Sequence, residues 1–206
     1  RVYSETALRH GHEVDAAWLE DRFRHAWDRS VRRSRDRGYR CSEEILRDEW
    51  LQIVGDTFGR SVPPSGLDVF FEDLYLRFVS ASAWRVVEGA VESLELLRCL
   101  GVRLGVLSNW DRRLPQTLAQ VGLARFFDFI VASHDVGFEK PHPRIFEEAI
   151  RRCEGEAPSR ILHVGDSWDA DIIPAVSAGM RVLWITSADP SETRALGGSV
   201  VLAEDL

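Results

Sequence analysis

Ile161-Leu162-His163-Val164-Gly165-Asp166-Ser167-Trp168-Asp169-Ala170-Asp171 changes character half-way along. Ile161 to Val164 is a short, largely apolar run closed by a glycine, the pattern of a strand buried in a sheet. Acids crowd the turn that follows, and Asp171 to Ala178 then reads as a helix. The same alternation extends on both sides. Downstream lies a strand at Val182 to Ile185 and a last apolar stretch at Val200 to Leu202. Upstream come helix Pro143 to Cys153, strand Phe129 to Ala132, helix Leu114 to Val121 and strand Leu104 to Leu107. Before these a helix carrying Val91, Leu94, Leu97 and Leu100 stops at Gly101. Short apolar strands alternating with helices predict a parallel sheet wrapped by right-handed crossovers, an α/β Rossmann-like core over residues 85–206.

Residues 1–84 carry only helical patterns. A short helix is expected near Val2 to His10. Asp15 is placed to cap a helix bearing Leu19, Phe23, Ala26, Trp27 and Val31. Ser42 is placed to cap another bearing Leu46, Trp50, Ile53, Val54 and Phe58, which Gly59 stops. Leu67, Phe70, Phe71, Leu74, Tyr75 and Phe78 mark a further helix after Pro63-Pro64, which predicts an α-helical bundle with short connections. Trp18, Trp27, Trp50, Phe70, Phe71 and Phe78 stand at core spacing. The arginines from Arg29 to Arg40 read as a solvated face near a helix end.

Composition narrows the partners. The chain is 45% apolar and 29% charged, with net charge -7, which disfavours nucleic acid and anionic membrane surfaces. No apolar run reaches the length of a membrane span. Cys41, Cys99 and Cys153 form neither a disulfide framework nor a metal knuckle, and a reducing cytoplasm is expected. Met180 is the only methionine and the chain opens at Arg1, so further residues are expected in front. Of 26 basic residues only Lys140 is a lysine, where a compact ammonium serves differently from a guanidinium fork.

Ligands of an open parallel sheet bind at the carboxyl ends of its strands. Three strand ends deliver chemistry there: Ser108-Asn109, then Glu139-Lys140-Pro141 ahead of a helix, then Gly165-Asp166 through Asp171. A hydroxyl, an ammonium and acids on one edge suit phosphoryl transfer, in which carboxylates hold a hard cation. Singly, each has an ordinary reading. Ser108 is a helix cap, Lys140 a solvated loop residue, and Asp166 and Asp171 first-turn acids of a helix. Trp110 and Trp168 are candidate walls of the site, His134 a surface or substrate-contact residue, and Asp169 a first-turn acid.

Taken together, Ser108-Asn109, Lys140-Pro141 and Gly165-Asp166-Ser167-x-x-x-Asp171 resemble the second, third and fourth motifs of the haloacid dehalogenase-like hydrolase superfamily. The stretch Ser108 to Leu114 looks most like its domain-containing 3 branch, and the helical first third resembles the cap of the first cap class. The resemblance implies that Ser108 and the Asn109 amide bind the phosphate and that Lys140 bridges phosphate and nucleophile. It implies that Asp166 ligates Mg²⁺ and that Asp171 supports the metal or Lys140. The implied substrate is a small phosphorylated metabolite, hydrolysed through an aspartyl phosphate under a closing cap.

The first motif, Asp-x-Asp-x-Thr at the end of strand one, is not found. Asp15, Asp21 and Asp28 lie in helical sequence. The nucleophile is therefore expected upstream of Arg1, and residues 1–206 by themselves are expected to be inactive. Two other readings stay open: carbon–halogen hydrolysis without a metal, and a binding or scaffold protein that keeps the fold. A phosphate-acceptor receiver domain is set aside, because it lacks a helical insert of this size and orders its groups differently.

Overall fold

Asp15 and Ser42 stand in extended backbone, and in the computed structural model, which describes residues 1–186 and 200–203, long helices start directly after them. Asp15 accepts a hydrogen bond from Trp18 N (2.8 Å) and Ser42 from Ile45 N (3.3 Å), each closing a donor that a helix start leaves open. The N-terminal helices are α1 (Val2–Arg9), α2 (Ala16–Asp36), α3 (Glu43–Phe58) and α4 (Pro64–Arg77). Gly59 ends α3 at φ 55°, a positive value that residues with side chains rarely adopt. Val54, Phe58, Phe70, Phe71 and Leu74 form the centre of this bundle, each no more than 3% exposed. Phe58 and Phe70 meet edge to face at 4.6 Å, the arrangement ring quadrupoles favour.

The apolar stripe of α2 is only partly inward. Leu19 and Ala26 are buried, but Trp18, Trp27 and Val31 are exposed. Trp27 stays at the rim, stacked on Phe23 (6.1 Å) and edge-on to Trp50 (6.3 Å). The arginine run is also more than a solvated face. Arg33 and Arg37 both bind Glu49, a buried carboxylate on α3, at 2.8 and 2.5 Å.

After Trp84 follow α5 (Ala90–Cys99), β1 (Gly105–Ser108), α6 (Leu114–Gln120), β2 (Phe129–Ala132), α7 (Ser133–Val136), α8 (Pro143–Arg152), β3 (Leu162–Gly165), α9 (Ile173–Ser177), β4 (Arg181–Ile185) and β5 (Val200–Ala203). Every pairing between the described strands is parallel. Val131, Ile145, Phe146, Ile172, Ala175 and Val182, each at most 1% exposed, form the core beneath the strands. Among the described residues the strands fall into two pieces, β1-β2 and β3-β4-β5, and β1 and β3 each keep one edge unpaired. Parallel strands are normally covered on both faces. Here Leu162 and Val164 on one face of β3 are 52% and 51% exposed, and α5 buries no residue. No helix among the described residues is long and apolar enough to cross a membrane.

One element departs from expectation. The helix read from Asp171 starts with a wide turn over Trp168–Ile172, and α9 begins only at Ile173. Asp171 N and Ile172 N both donate to Ser167 O, at 2.8 and 3.1 Å, which widens the turn. The widening leaves the Asp171 carboxylate tucked under the Ser167 amide.

Candidate active site

The site is built from three connections at the carboxyl ends of the strands. β1 ends in Ser108, opposite Ala132 of β2, and Asn109 follows. The Asn109 amide reaches the segment before α8 twice: Nδ2 donates to Lys140 O (3.0 Å), and Oδ1 accepts from Lys140 N (2.6 Å). The Lys140–Pro141 peptide bond is cis. From that anchored backbone, Lys140 Nζ donates to Asp171 Oδ1 at 2.6 Å, in a pair whose side chains are 14% and 5% exposed. Asn109, Lys140 and Asp171 thus form one hydrogen-bonded chain from the end of β1 to the turn after β3.

Asp171 is held on every side. Its Oδ1 also takes His163 Nε2 (3.0 Å), and its Oδ2 accepts from Ser167 N (3.2 Å). Gly165 leaves the room, since a Cβ there would come within 2.5 Å of Asp171 Cβ. Burial pushes the Asp171 carboxyl up, but the His163 hydrogen bond and the Lys140 ammonium outweigh it and bring the pKa down to about 2. The carboxylate is therefore ionised throughout the neutral range.

Asp166 is different. Trp184 Nε1 donates to its backbone oxygen (3.0 Å), while its side chain is exposed and makes no hydrogen bond or ion pair among the described residues. The Ser108 hydroxyl is likewise without a hydrogen bond there. Of Ser108, Asn109, Lys140, Asp166 and Asp171, these two side chains are the ones left open. Of the two acids expected at a metal, only Asp166 is free, because both oxygens of Asp171 are engaged. No group of three or more His, Cys, Asp and Glu side chains able to hold a metal occurs among the described residues.

The helical part reaches both loops of the site. Asp111 and Arg113, 5% and 8% exposed, form a pair after Asn109 (Nη2–Oδ2 2.6 Å). The Arg113 guanidinium lies 3.3 Å over the Tyr75 ring and donates to Tyr75 O (2.6 Å). Burial pushes the Asp111 carboxyl up, and the bonds from Arg113 overrule this and hold it below the usual range. Arg112 reaches Glu43 at 3.2 Å. On the other side, Ser34 donates to Glu139, Glu139 N donates to Tyr39 O (2.9 Å), and Cys41 N to Gly137 O (3.0 Å). Of the flanking residues, Trp110 packs on Trp84 (5.2 Å) and Trp168 on Trp184 (4.6 Å), whereas His134 pairs with Asp135 (3.1 Å).

Sequence reasoning brought Ser108, Asn109, Lys140, Asp166 and Asp171 to one edge, and the structure gathers them there. It missed His163, which sits inside an apolar run, and the Asp111–Arg113 pair, whose meaning depends on a helix arriving from elsewhere.

A family model for haloacid dehalogenase-like hydrolases matches residues 9–179. The haloacid dehalogenase-like hydrolase domain-containing protein 3 of Bos taurus is 35% identical over 191 residues, covering 91% of this chain and 75% of that protein. The chain belongs to the haloacid dehalogenase-like hydrolases. A glyceraldehyde 3-phosphate phosphatase from Methanothermobacter thermautotrophicus is 38% identical over 120 residues, 53% of this chain and 50% of that one. Among solved structures of the family's fold, a HAD phosphatase from Thermococcus onnurineus matches with a TM-score of 0.59 at 25% identity, over 100% of this chain and 81% of that one. A dehalogenase with an intermediate complex matches with a TM-score of 0.72 at 19% identity, over 100% and 87%, a likeness of fold alone.

Proposed function

We propose that this hydrolase is a Mg²⁺-dependent phosphatase of a small phosphorylated metabolite, working through an aspartyl phosphate. The observation that carries the reading is the chain Asn109–Lys140–Asp171 across the strand ends, with the Ser108 hydroxyl and the Asp166 carboxylate left open on the same edge. In this reading Ser108 and the Asn109 amide hold the transferring phosphate, and Lys140 offsets charge on phosphate and nucleophile. Asp166 anchors the ion. Mg²⁺ needs few protein ligands, one or two carboxylates completed by phosphate oxygens and water, and one open acid meets that need. Asp171 then serves through Lys140 and not as a direct ligand. When bound, the ion neutralises charge on the phosphoryl oxygens.

The nucleophile is an aspartate of a strand preceding Arg1, lying between β1 and β3. The unpaired edges of those strands, the half-exposed Leu162 and Val164 and the uncovered α5 support this. Residues 1–206 alone are then inactive. Residues 1–84 act as the cap and 85–206 as the core. In support, the buried members of the two apolar clusters come from Val2 to Tyr75 and from Val131 to Trp184. The three free cysteines suit a cytoplasmic setting. The identity to a glyceraldehyde 3-phosphate phosphatase supports a phosphate ester over a haloacid. The test is a screen of the full-length protein against small phosphate esters and 2-haloacids, with and without Mg²⁺. Phosphate release only with Mg²⁺ is expected. Halide release without a metal would replace this reading with dehalogenation.

A further inference from the structure

His163 is the unexplained polar residue of β3. It is 7% exposed, in a strand whose neighbours are aliphatic, and its ring stands edge-on to Phe146 at 5.6 Å. An aliphatic side chain would fill this position without the cost of burying an imidazole. What the imidazole has instead is one hydrogen bond: Nε2 lies 3.0 Å from Asp171 Oδ1, the same oxygen that takes Lys140 Nζ. Without it, the only donor fixing Asp171 other than Lys140 itself would be Ser167 N at 3.2 Å, and the terminal torsion of a carboxylate is soft. Lys140 in turn hangs on a flexible four-carbon stem, so its ammonium sits where Asp171 holds it.

We propose that His163 is a positioning residue for Lys140, acting through Asp171: Phe146 orients the imidazole, the imidazole fixes Oδ1, and Oδ1 places the ammonium on the edge with Ser108 and Asp166. The consequence for turnover rests on the phosphatase reading above, while the consequence for Lys140 itself does not. His163→Phe keeps the ring packing and removes the donor. His163→Gln keeps a donor at similar reach.

Two readouts on the full-length protein separate the claims. The first is the rate at which an amine-acylating reagent modifies Lys140, followed at that residue by peptide mass spectrometry. The second is kcat against KM for a phosphate ester. In His163→Phe, Lys140 is expected to acylate several-fold faster, and kcat to fall about 10- to 100-fold with a smaller change in KM, as loss of alignment predicts. His163→Gln is expected to restore both to within about threefold. An unchanged acylation rate in His163→Phe, or a glutamine variant as defective as the phenylalanine one, overturns the proposal. If the wild-type protein turns over no phosphate ester, the phosphatase reading fails, and faster acylation in His163→Phe still upholds the positioning role. Should His163→Phe not fold, ¹⁵N-histidine spectra of the wild type decide: a proton on Nε2 supports the contact and its absence there overturns it.

Discussion

Asp171 gathers more of the site than any other side chain, because Lys140, His163 and Ser167 all converge on its two oxygens and Gly165 makes room for it. Gly165→Ala would push a methyl group into the Asp171 side chain. Unfolding in urea should show a loss of about 1–3 kcal/mol, the usual cost of overpacking, and turnover should fall with it. The depressed pKa, about 2, also fixes a pH dependence. A carboxyl with its folded value below its unfolded one adds stability that is complete above the unfolded value and disappears as pH falls through the folded one. The gain is roughly 2 kcal/mol, present above about pH 4 and lost towards pH 2. Wild type and Asp171→Asn compared by chemical unfolding should differ by a constant amount from pH 7 to 5, and the gap should narrow below pH 4. The acids and the lysine could be read from sequence because their types and strand-end places announce a charged edge. His163 could not, because one polar residue within an apolar strand says nothing about what lies across from it.

At the scale of elements, local chemistry explains the starts and stops. Asp15 and Ser42 cap the helices their positions imply, and replacing Asp15 by Ala should cost about 1 kcal/mol in a thermal melt. The wide turn before α9 was hidden because it follows from Ser167 O accepting two amides, a geometry no spacing rule reports. The exposure of Trp27 was hidden too, since the helical period gives a stripe but not its width. The Asp111–Arg113–Tyr75 cluster joins α4 to the loop after β1. Arg113→Met leaves Asp111 buried without its partner and should destabilise by about 3–5 kcal/mol, whereas Arg113→Met with Asp111→Leu should recover most of that loss. Denaturant unfolding of both variants checks the sign and the recovery.

For the whole molecule, the helical part touches the strand-end edge at the two loops that deliver Asn109 and Lys140, through Arg113 on one side and Glu139 on the other. Burial pushes the Glu139 carboxyl up, so this contact between the two parts is built on a carboxyl that resists ionisation. Alternating strands and helices made the α/β core legible, whereas which of the described strands pair with which depends on contacts far apart in sequence. A phosphatase whose ion rests on Asp166 must lose metal response when that acid is neutralised. The decisive measurement is the initial rate of phosphate release by the full-length protein as Mg²⁺ is added back after chelation, for wild type and Asp166→Asn. The wild type should go from no turnover to a saturating rate, and Asp166→Asn should fall about 100-fold or more below it or need far more Mg²⁺. A rate indifferent to Mg²⁺, or an Asp166→Asn variant that titrates like wild type, would contradict the account.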